Sequence, residues 1–443
     1  MPDAVVLSVA LAVCVLPGVA LLAALEVRRP LLVIVLAAPV SVAAAGLTGA
    51  VTGWLGLEFG AISLGALTLL AGAVGVLRLV LGQRGAPVSA SRPVHPLPRH
   101  TRVVQSIGTM LAVVGTGIGV MSWLRGLGGL STYPQEHDTI VHTLLTSYIS
   151  RTGRGAPWEL LPLDVLTGEP VYFYPAGMHL LAAVTADLTG DAVPALNAVT
   201  VVLLAVVLSV SAAVLAVVAA RRLRLGLGAA ALAGGFAALV AAGLYRPTFQ
   251  LAHDGGGLPN AAALAMAPAV VAGLLMLSAS PRRVAVAVGI ACVGIVWLHP
   301  SAAVSVGVTV VAWWAGDAIV RNGRRELRRL PSRLAITAVT AAVLLVPFVL
   351  SSSASVTRTS SFPPDTAAAG FSNAVGATLG LAYGGYLDPP RATGQLWAAA
   401  LMAVGIVAVL MLRRGLGVVA AWGAWTAITI AYFLSPATGI ETV

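Results

Sequence analysis

The sequence contains few charged residues and no lysine. Only 9% of its 443 residues are Asp, Glu or Arg, whereas soluble domains carry roughly 25% charged residues. Together with 58% hydrophobic residues and a mean hydropathy of +0.94, this deficit excludes a soluble globular domain. Cysteine is equally scarce. Cys14 and Cys292 both lie inside apolar runs, which excludes a disulfide framework and a zinc ribbon.

Apolar runs, in contrast, are long and numerous. A hydrocarbon core about 30 Å thick needs about 20 apolar residues in helical form. The sequence therefore predicts an all-α polytopic protein of the cell membrane with about twelve transmembrane helices. The predicted spans are 4–25, 31–51, 61–81, 103–124, 194–220, 228–245, 259–279, 283–299, 302–320, 335–351, 395–412 and 416–434. A shorter stretch, 176–188, carries His179 and Asp187, and we interpret it as a non-spanning segment that is either a membrane-surface helix or re-entrant.

The positions of the arginines predict the orientation, because cytoplasmic loops of membrane proteins are enriched in positive charge. With the N-terminus outside and 176–188 not crossing, 20 of the 26 arginines and only 3 of the 16 acidic residues are cytoplasmic. If 176–188 crosses, three later basic clusters lie outside, which the same rule disfavours. The arginines thus form separate patches that flank the membrane. This arrangement favours anionic lipids and argues against nucleic acid as a partner.

We divide the chain into three parts. Residues 1–102 hold three spans and a basic cytoplasmic linker, residues 103–351 a transmembrane core, and residues 352–443 an external loop and two spans. The core includes a large external loop, 125–193, with short membrane-surface helices. Ionisable groups at the membrane are costly unless they pair or function, and five of the seven histidines are predicted to be external. We therefore expect the chemistry at the outer face.

The large external loop contains an acidic triplet, Glu136-His137-Asp138. Residues 139–149 have the pattern of an amphipathic helix with Asp138 as its N-cap, which places Asp138 and His142 on one face. The two carboxylates, with His142 as a third ligand, can bind one Mg²⁺ or Mn²⁺, or one carboxylate can act as a general base. The residues alone leave open a simpler interpretation, in which Asp138 only caps the helix and Glu136 is solvated.

Aromatic residues and a histidine follow later in the same loop. Tyr172, Tyr174 and His179 can line a groove for a sugar or a lipid phosphate. Alternatively, the tyrosines form part of an interfacial aromatic belt, which requires no substrate. Both interpretations remain open from the residues alone.

Two further external segments contain candidate substrate-binding residues. His253 and Asp254 precede three glycines, whose backbone N–H groups can cradle an anion or simply form a turn. His299, directly before Pro300, places an imidazole at the outer end of its span. It is either a substrate contact or a helix-ending residue hydrogen-bonded within the bundle.

The order of these features resembles the integral-membrane GT-C glycosyltransferases. In both, a span leads into an external loop with an acidic-x-acidic triplet, here Glu136-His137-Asp138, and short surface helices precede the next span. The stretch 174–181, followed by 188–190, is similar to one in actinobacterial membrane proteins of this kind. The resemblance covers roughly residues 103–350. Three predicted spans precede this core, and from the short ending after the last span we expect a member without the extracytoplasmic C-terminal domain of many relatives, or a truncated one.

The resemblance implies a polyprenyl-phosphate sugar donor and a divalent cation, Mg²⁺ or Mn²⁺, bound by loop carboxylates. It also implies a base that activates the acceptor hydroxyl, which would be Asp138, with Glu136 as a metal or substrate contact. An arginine would pair with the donor phosphate. The external candidates are Arg246, Arg358 and Arg391.

From the sequence we expect a membrane glycosyltransferase that moves a sugar to an acceptor outside the cytoplasm, such as a cell-envelope glycan or glycoprotein. The alternative is a transporter or flippase for a lipid-linked or small polar solute. Residues 1–220 and 221–443 show no equivalence, and the cytoplasmic halves of the spans are almost purely Ala, Val and Leu, which argues against transport. A structural membrane subunit is a third hypothesis, for which the acidic triplet would be dispensable.

Overall fold

In the residues that the computed structural model describes, all regular structure is helical, as the sequence predicts. The structure describes residues 1–85, 98–133, 138–160, 168, 173–244, 257–319, 324, 327–352, 396–411 and 415–434. The helices are α1 (Asp3–Ala24), α2 (Pro30–Leu55), α3 (Ala61–Gly85), α4 (Arg99–Leu127), α5 (Thr139–Thr152), α6 (Gly177–Thr189), α7 (Ala192–Arg222), α8 (Leu227–Gly243), α9 (Leu258–Met276), α10 (Arg282–Leu298), α11 (Ser301–Ile319), α12 (Pro331–Leu344), α13 (Val346–Ser352), α14 (Leu396–Met411) and α15 (Leu416–Leu434). A π-helical turn, Val202–Val207, lies inside α7.

The number of candidate spans is smaller than the sequence predicts. Within the described residues, seven helices are long and apolar enough to cross a membrane: α1, α2, α3, α4, α7, α9 and α11. The count rises to eight if α12 and α13, which meet at a bend of 53°, form one span. The protein is therefore a multi-pass membrane protein, but the prediction of about twelve spans is wrong.

Proline and helix length explain much of the difference. α8 and α10 have 17 residues each, which is about 25 Å of helix and short of the hydrocarbon core. α10 ends because Pro300 disfavours a helical conformation at His299, whose backbone is extended (φ −162°, ψ 126°). α12 and α13 break at Leu345, because Pro347 lacks an N–H and its ring clashes with the carbonyl four residues earlier. Apolar composition alone does not detect such boundaries.

Charged residues lie at two opposite ends of the bundle. We call the end with Arg29, Arg222 and Arg283 the arginine pole. The end with His142 and His179 is the histidine pole. At the arginine pole, Arg283 pairs with Glu26, and Arg29 donates to the carbonyl of Ala279 at 2.7 Å. At the histidine pole, Asp187 accepts from the hydroxyl of Ser150 at 2.6 Å. These contacts join residues that the sequence analysis assigns to the same side of the membrane.

Arg222 connects three helices at the arginine pole. Its guanidinium contacts the carboxylate of Asp317 in α11 at 2.5 Å and the carbonyl of Leu275 in α9 at 2.5 Å. The Arg222 and Asp317 side chains are only 20% and 14% exposed. Solvent therefore screens this ion pair less than an ordinary surface pair.

We expect Asp317→Ala to lower the free energy of unfolding by about 1–3 kcal/mol, because the largely buried guanidinium of Arg222 loses its counter-charge. Denaturation in mixed detergent–SDS micelles measures the change. Glu26→Ala is the matched control, since its partner Arg283 is 42% exposed and such pairs contribute about 1 kcal/mol or less. Equal losses in the two variants would contradict the prediction.

Small residues allow several helices to approach closely. α4 and α8 run parallel, and a Cβ at Gly108, Gly115 or Gly235 would overlap the backbone of the other helix. Likewise, a Cβ at Gly294 in α10 would overlap the backbone of Pro39 in α2. Such interfaces are typical of membrane helices, which associate through packing because lipid offers no hydrophobic driving force.

Two short helices, α5 and α6, lie at the histidine pole. α6 has 13 residues, ten of them buried, and it packs against α1, α2, α5 and α7. Its length, about 20 Å, is too short to cross the membrane, in agreement with a non-spanning segment 176–188. These contacts bury α6 within the bundle, and its position relative to the membrane surface stays a prediction.

Candidate functional site

The structure brings two histidines together at the histidine pole. The Nδ1 atom of His142 in α5 lies 3.0 Å from the Nε2 atom of His179 in α6, and the ring centroids are 5.0 Å apart. The two residues are only 3% and 0% exposed. The sequence analysis named both as candidates, but it did not predict that they meet across 37 residues of chain.

Tyr174 and Asp138 extend this pair into a cluster. The ring of Tyr174 packs edge-on against His179 at a centroid distance of 5.5 Å. Burial, with a smaller contribution from the negative charge of Asp138, raises the pKa of the Tyr174 hydroxyl, which stays protonated at neutral pH. Asp138 is therefore close enough to act electrostatically on Tyr174. We call Asp138, His142, Tyr174 and His179 the histidine cluster.

Asp138 occupies the N-cap position of α5, as predicted, but its carboxylate makes no capping hydrogen bond to that helix. Its backbone carbonyl accepts from the amide of His142 at 3.0 Å. Asp138 thus begins α5 without a side-chain cap, and its role beyond that position stays a prediction.

Buried polar atoms without a hydrogen-bond partner also concentrate at the histidine pole. Within the described residues they include Nδ1 of His179, the hydroxyls of Thr146 and Tyr148, and the indole N–H of Trp297. A buried polar group without a partner costs about 1–3 kcal/mol, so several together indicate bound water or a ligand. His179 itself is neutral, because burial and then the nearby His142 lower its pKa.

A second polar group surrounds His299. Nδ1 of His299 lies 2.6 Å from the hydroxyl of Ser301, which donates to Oδ1 of Asn260 at 3.0 Å. Since the hydroxyl has one proton and gives it to Asn260, His299 carries its own proton on Nδ1 and presents Nε2 as an acceptor. His299 thus ends α10 and is hydrogen-bonded within the bundle, which is one of the two interpretations stated above.

The elements that carry the two groups touch each other. A Cβ at Gly177, the first residue of α6, would lie 2.7 Å from the carbonyl oxygen of Trp297, near the end of α10. His179 and His299 each follow this contact by two residues. Ser301 and Asn260 were missed by the sequence analysis, although polar side chains at the ends of apolar spans are a usable signal.

Burial lowers the pKa of His299, so protonation favours the unfolded state as the pH falls below about 6.5. We expect the melting temperature to be constant above pH 7 and to fall between pH 6.5 and pH 5. His299→Gln, which can still donate to Ser301, should flatten part of this fall, since His179 contributes in the same direction. His100→Gln, at an exposed position of the arginine pole, is the control and should follow the wild-type curve. A wild-type slope in His299→Gln would show the prediction to be wrong.

Most remaining candidates lie outside the described residues, and their roles stay predictions. They are Glu136, Tyr172, Arg246, His253, Asp254, Arg358 and Arg391. Within the described ranges, no three His, Cys, Asp or Glu side chains converge as a metal centre. Of the three predicted metal ligands, Asp138 and His142 are described.

Fold and site together define a polytopic all-α membrane protein with a buried histidine cluster at one end of its bundle. The chain belongs to DUF6541, a family of unknown function whose model matches residues 11–442. No curated protein and no solved structure matches the chain.

Proposed function

We propose that the protein is a membrane glycosyltransferase of the GT-C type, which transfers a sugar from a polyprenyl-phosphate donor to an acceptor outside the cytoplasm. The observation that carries the proposal is the histidine cluster, which two non-spanning helices, α5 and α6, hold at one pole of a membrane bundle. A lipid-linked donor presents its sugar at the membrane surface, where such a cluster can meet it. Buried polar atoms without partners are expected where a polar substrate or its water is held.

In the proposed reaction Asp138 accepts the proton of the acceptor hydroxyl. The hydroxyl oxygen then bonds the anomeric carbon as the bond from that carbon to the phosphate oxygen breaks, and polyprenyl phosphate leaves. Tyr174, which stays protonated, can donate a hydrogen bond to the sugar or to the phosphate. A base of this kind contributes about 10²–10⁴-fold to the rate.

A divalent cation, Mg²⁺ or Mn²⁺, is part of the proposal. The chemistry of the described donors agrees with one, because an imidazole and a carboxylate are both metal ligands. His142 and Glu136 would hold the ion, which supplies positive charge that stabilises the leaving phosphate. Arg246, Arg358 and Arg391 remain candidates for a second phosphate contact.

The proposed orientation places the arginine pole in the cytoplasm and the histidine pole outside. The positive-inside rule supports it, as does the grouping of Arg29, Arg222 and Arg283 at one end of the bundle.

The test is sugar transfer by the purified full-length chain in liposomes. Fluorescent polyprenyl-phosphate sugars are supplied with cell-envelope glycan fragments, and mass spectrometry detects the product. Transfer that depends on the protein supports the proposal. Movement of the lipid-linked sugar across the bilayer with no transfer product would overturn it and favour the flippase alternative.

A further inference from the structure

We propose that Nδ1 of His142 and Nε2 of His179 are two ligands of one divalent transition-metal ion, of the Zn²⁺ or Mn²⁺ class. This inference deepens the proposed function and rests on it for the use of the metal in catalysis, but not for metal binding itself. It adds His179 as a ligand, a residue that the sequence analysis assigned to substrate binding.

The first argument is the distance between the two ring nitrogens. Metal–nitrogen bonds of about 2.0–2.1 Å at tetrahedral or octahedral angles place neighbouring ligand nitrogens about 2.9–3.4 Å apart. The observed separation of 3.0 Å falls in this interval. The pair comes from two different helices, so each ring is held by its own backbone and by packing in the bundle.

The second argument is the position of the two ring nitrogens. Imidazole binds a metal through an unprotonated ring nitrogen, and the two nitrogens face each other between residues that are only 3% and 0% exposed. Asp138 supplies negative charge near the cluster, as its effect on Tyr174 shows.

The third argument concerns which metal the pair selects. Mg²⁺ prefers oxygen ligands in an octahedral shell and keeps several waters. Two imidazoles instead favour first-row transition metals. If the nitrogens serve only as a hydrogen-bonded pair, one ring donates to the other and the site has no affinity for such metals.

The experiment measures metal binding by the tag-free, full-length chain in detergent after removal of metals with a chelator. We expect one equivalent of Zn²⁺ to bind and an excess of Mg²⁺ to leave it in place. Co²⁺ should give the visible absorption bands of a protein-bound ion. His142→Gln and His179→Gln should each weaken Zn²⁺ binding about 100-fold or more, whereas His299→Gln and His100→Gln should not change it.

A second variant guards against loss of fold as the cause of weak binding. His142→Cys places a sulfur near the position of Nδ1, so it should bind Zn²⁺ and add a sulfur-to-cobalt charge-transfer band. Wild-type protein that binds no Zn²⁺, or a folded His179→Gln that binds it as tightly as wild type, would overturn the inference. Metal binding without sugar transfer would overturn only the proposed function. Sugar transfer by metal-free protein that also fails to bind added Zn²⁺ would overturn only this inference.

Discussion

Asp138→Asn is expected to abolish sugar transfer, with a loss of about 10³-fold or more, while the protein stays folded. The amide has nearly the shape of the carboxylate but cannot accept the proton of the acceptor hydroxyl, which removes a general base. Because asparagine is as good as aspartate at an N-cap position, which Asp138 occupies in α5, the substitution should cost little helix stability. Initial rates of product formation, with a melting curve of each sample, measure both effects.

Asp191→Asn is the matched control for this substitution. Asp191 lies at the same pole and caps α7, where Oδ1 accepts from the amide of Val193 at 3.0 Å. Asparagine is an equally good N-cap, so this variant removes the same charge and should keep its activity. Full activity in Asp138→Asn would refute the assignment of the base. Equal losses in both variants would attribute the effect to the charge of the pole instead.

Gly294→Ala is expected to lower the free energy of unfolding by about 3 kcal/mol or more, at the upper end of overpacking effects. A Cβ at this position would overlap the carbonyl oxygen of Pro39 and would lie 2.7 Å from its carbonyl carbon. Both atoms belong to the backbone, so α2 and α10 must separate to admit the methyl group. Titration with SDS in detergent micelles, followed by tryptophan fluorescence, measures the change.

Gly307→Ala is the control for this packing prediction. Gly307 lies within α11, and a Cβ there would meet no atom within 4 Å. Because alanine favours helix over glycine by about 1 kcal/mol, this variant should be as stable as wild type or more stable. If the two alanine variants unfold at the same SDS fraction, close packing at Gly294 does not hold α2 and α10 together.

Much of the architecture follows from the sequence because lipid restricts the possible structures. Apolar runs predict helices, since every backbone polar group must be satisfied within its own segment, and most predicted spans correspond to observed helices. The number of spans is wrong because length decides whether a helix can cross. Pro300 and Pro347 determine where α10 and α12 end, but neither changes the apolar composition around it.

The candidate site was less predictable than the fold. His142 and Asp138 are close in sequence, so helical periodicity places them on one face. His179 joins them only because α6 is buried against α5, a tertiary contact that local periodicity does not encode. The hydrogen bonds from His299 through Ser301 to Asn260 likewise join helices that are distant in sequence.

The burial of α6 has a consequence for biogenesis. A helix of 13 residues is too short to be retained as an independent membrane segment during synthesis, so it must dock onto helices that are already inserted. It packs against α1 and α2; in the contact with α2, Gly177 meets Val42 and Leu180 meets Gly49. His179 therefore reaches its final position late in assembly. A fragment that starts at residue 103 would be synthesised without the surface that receives α6.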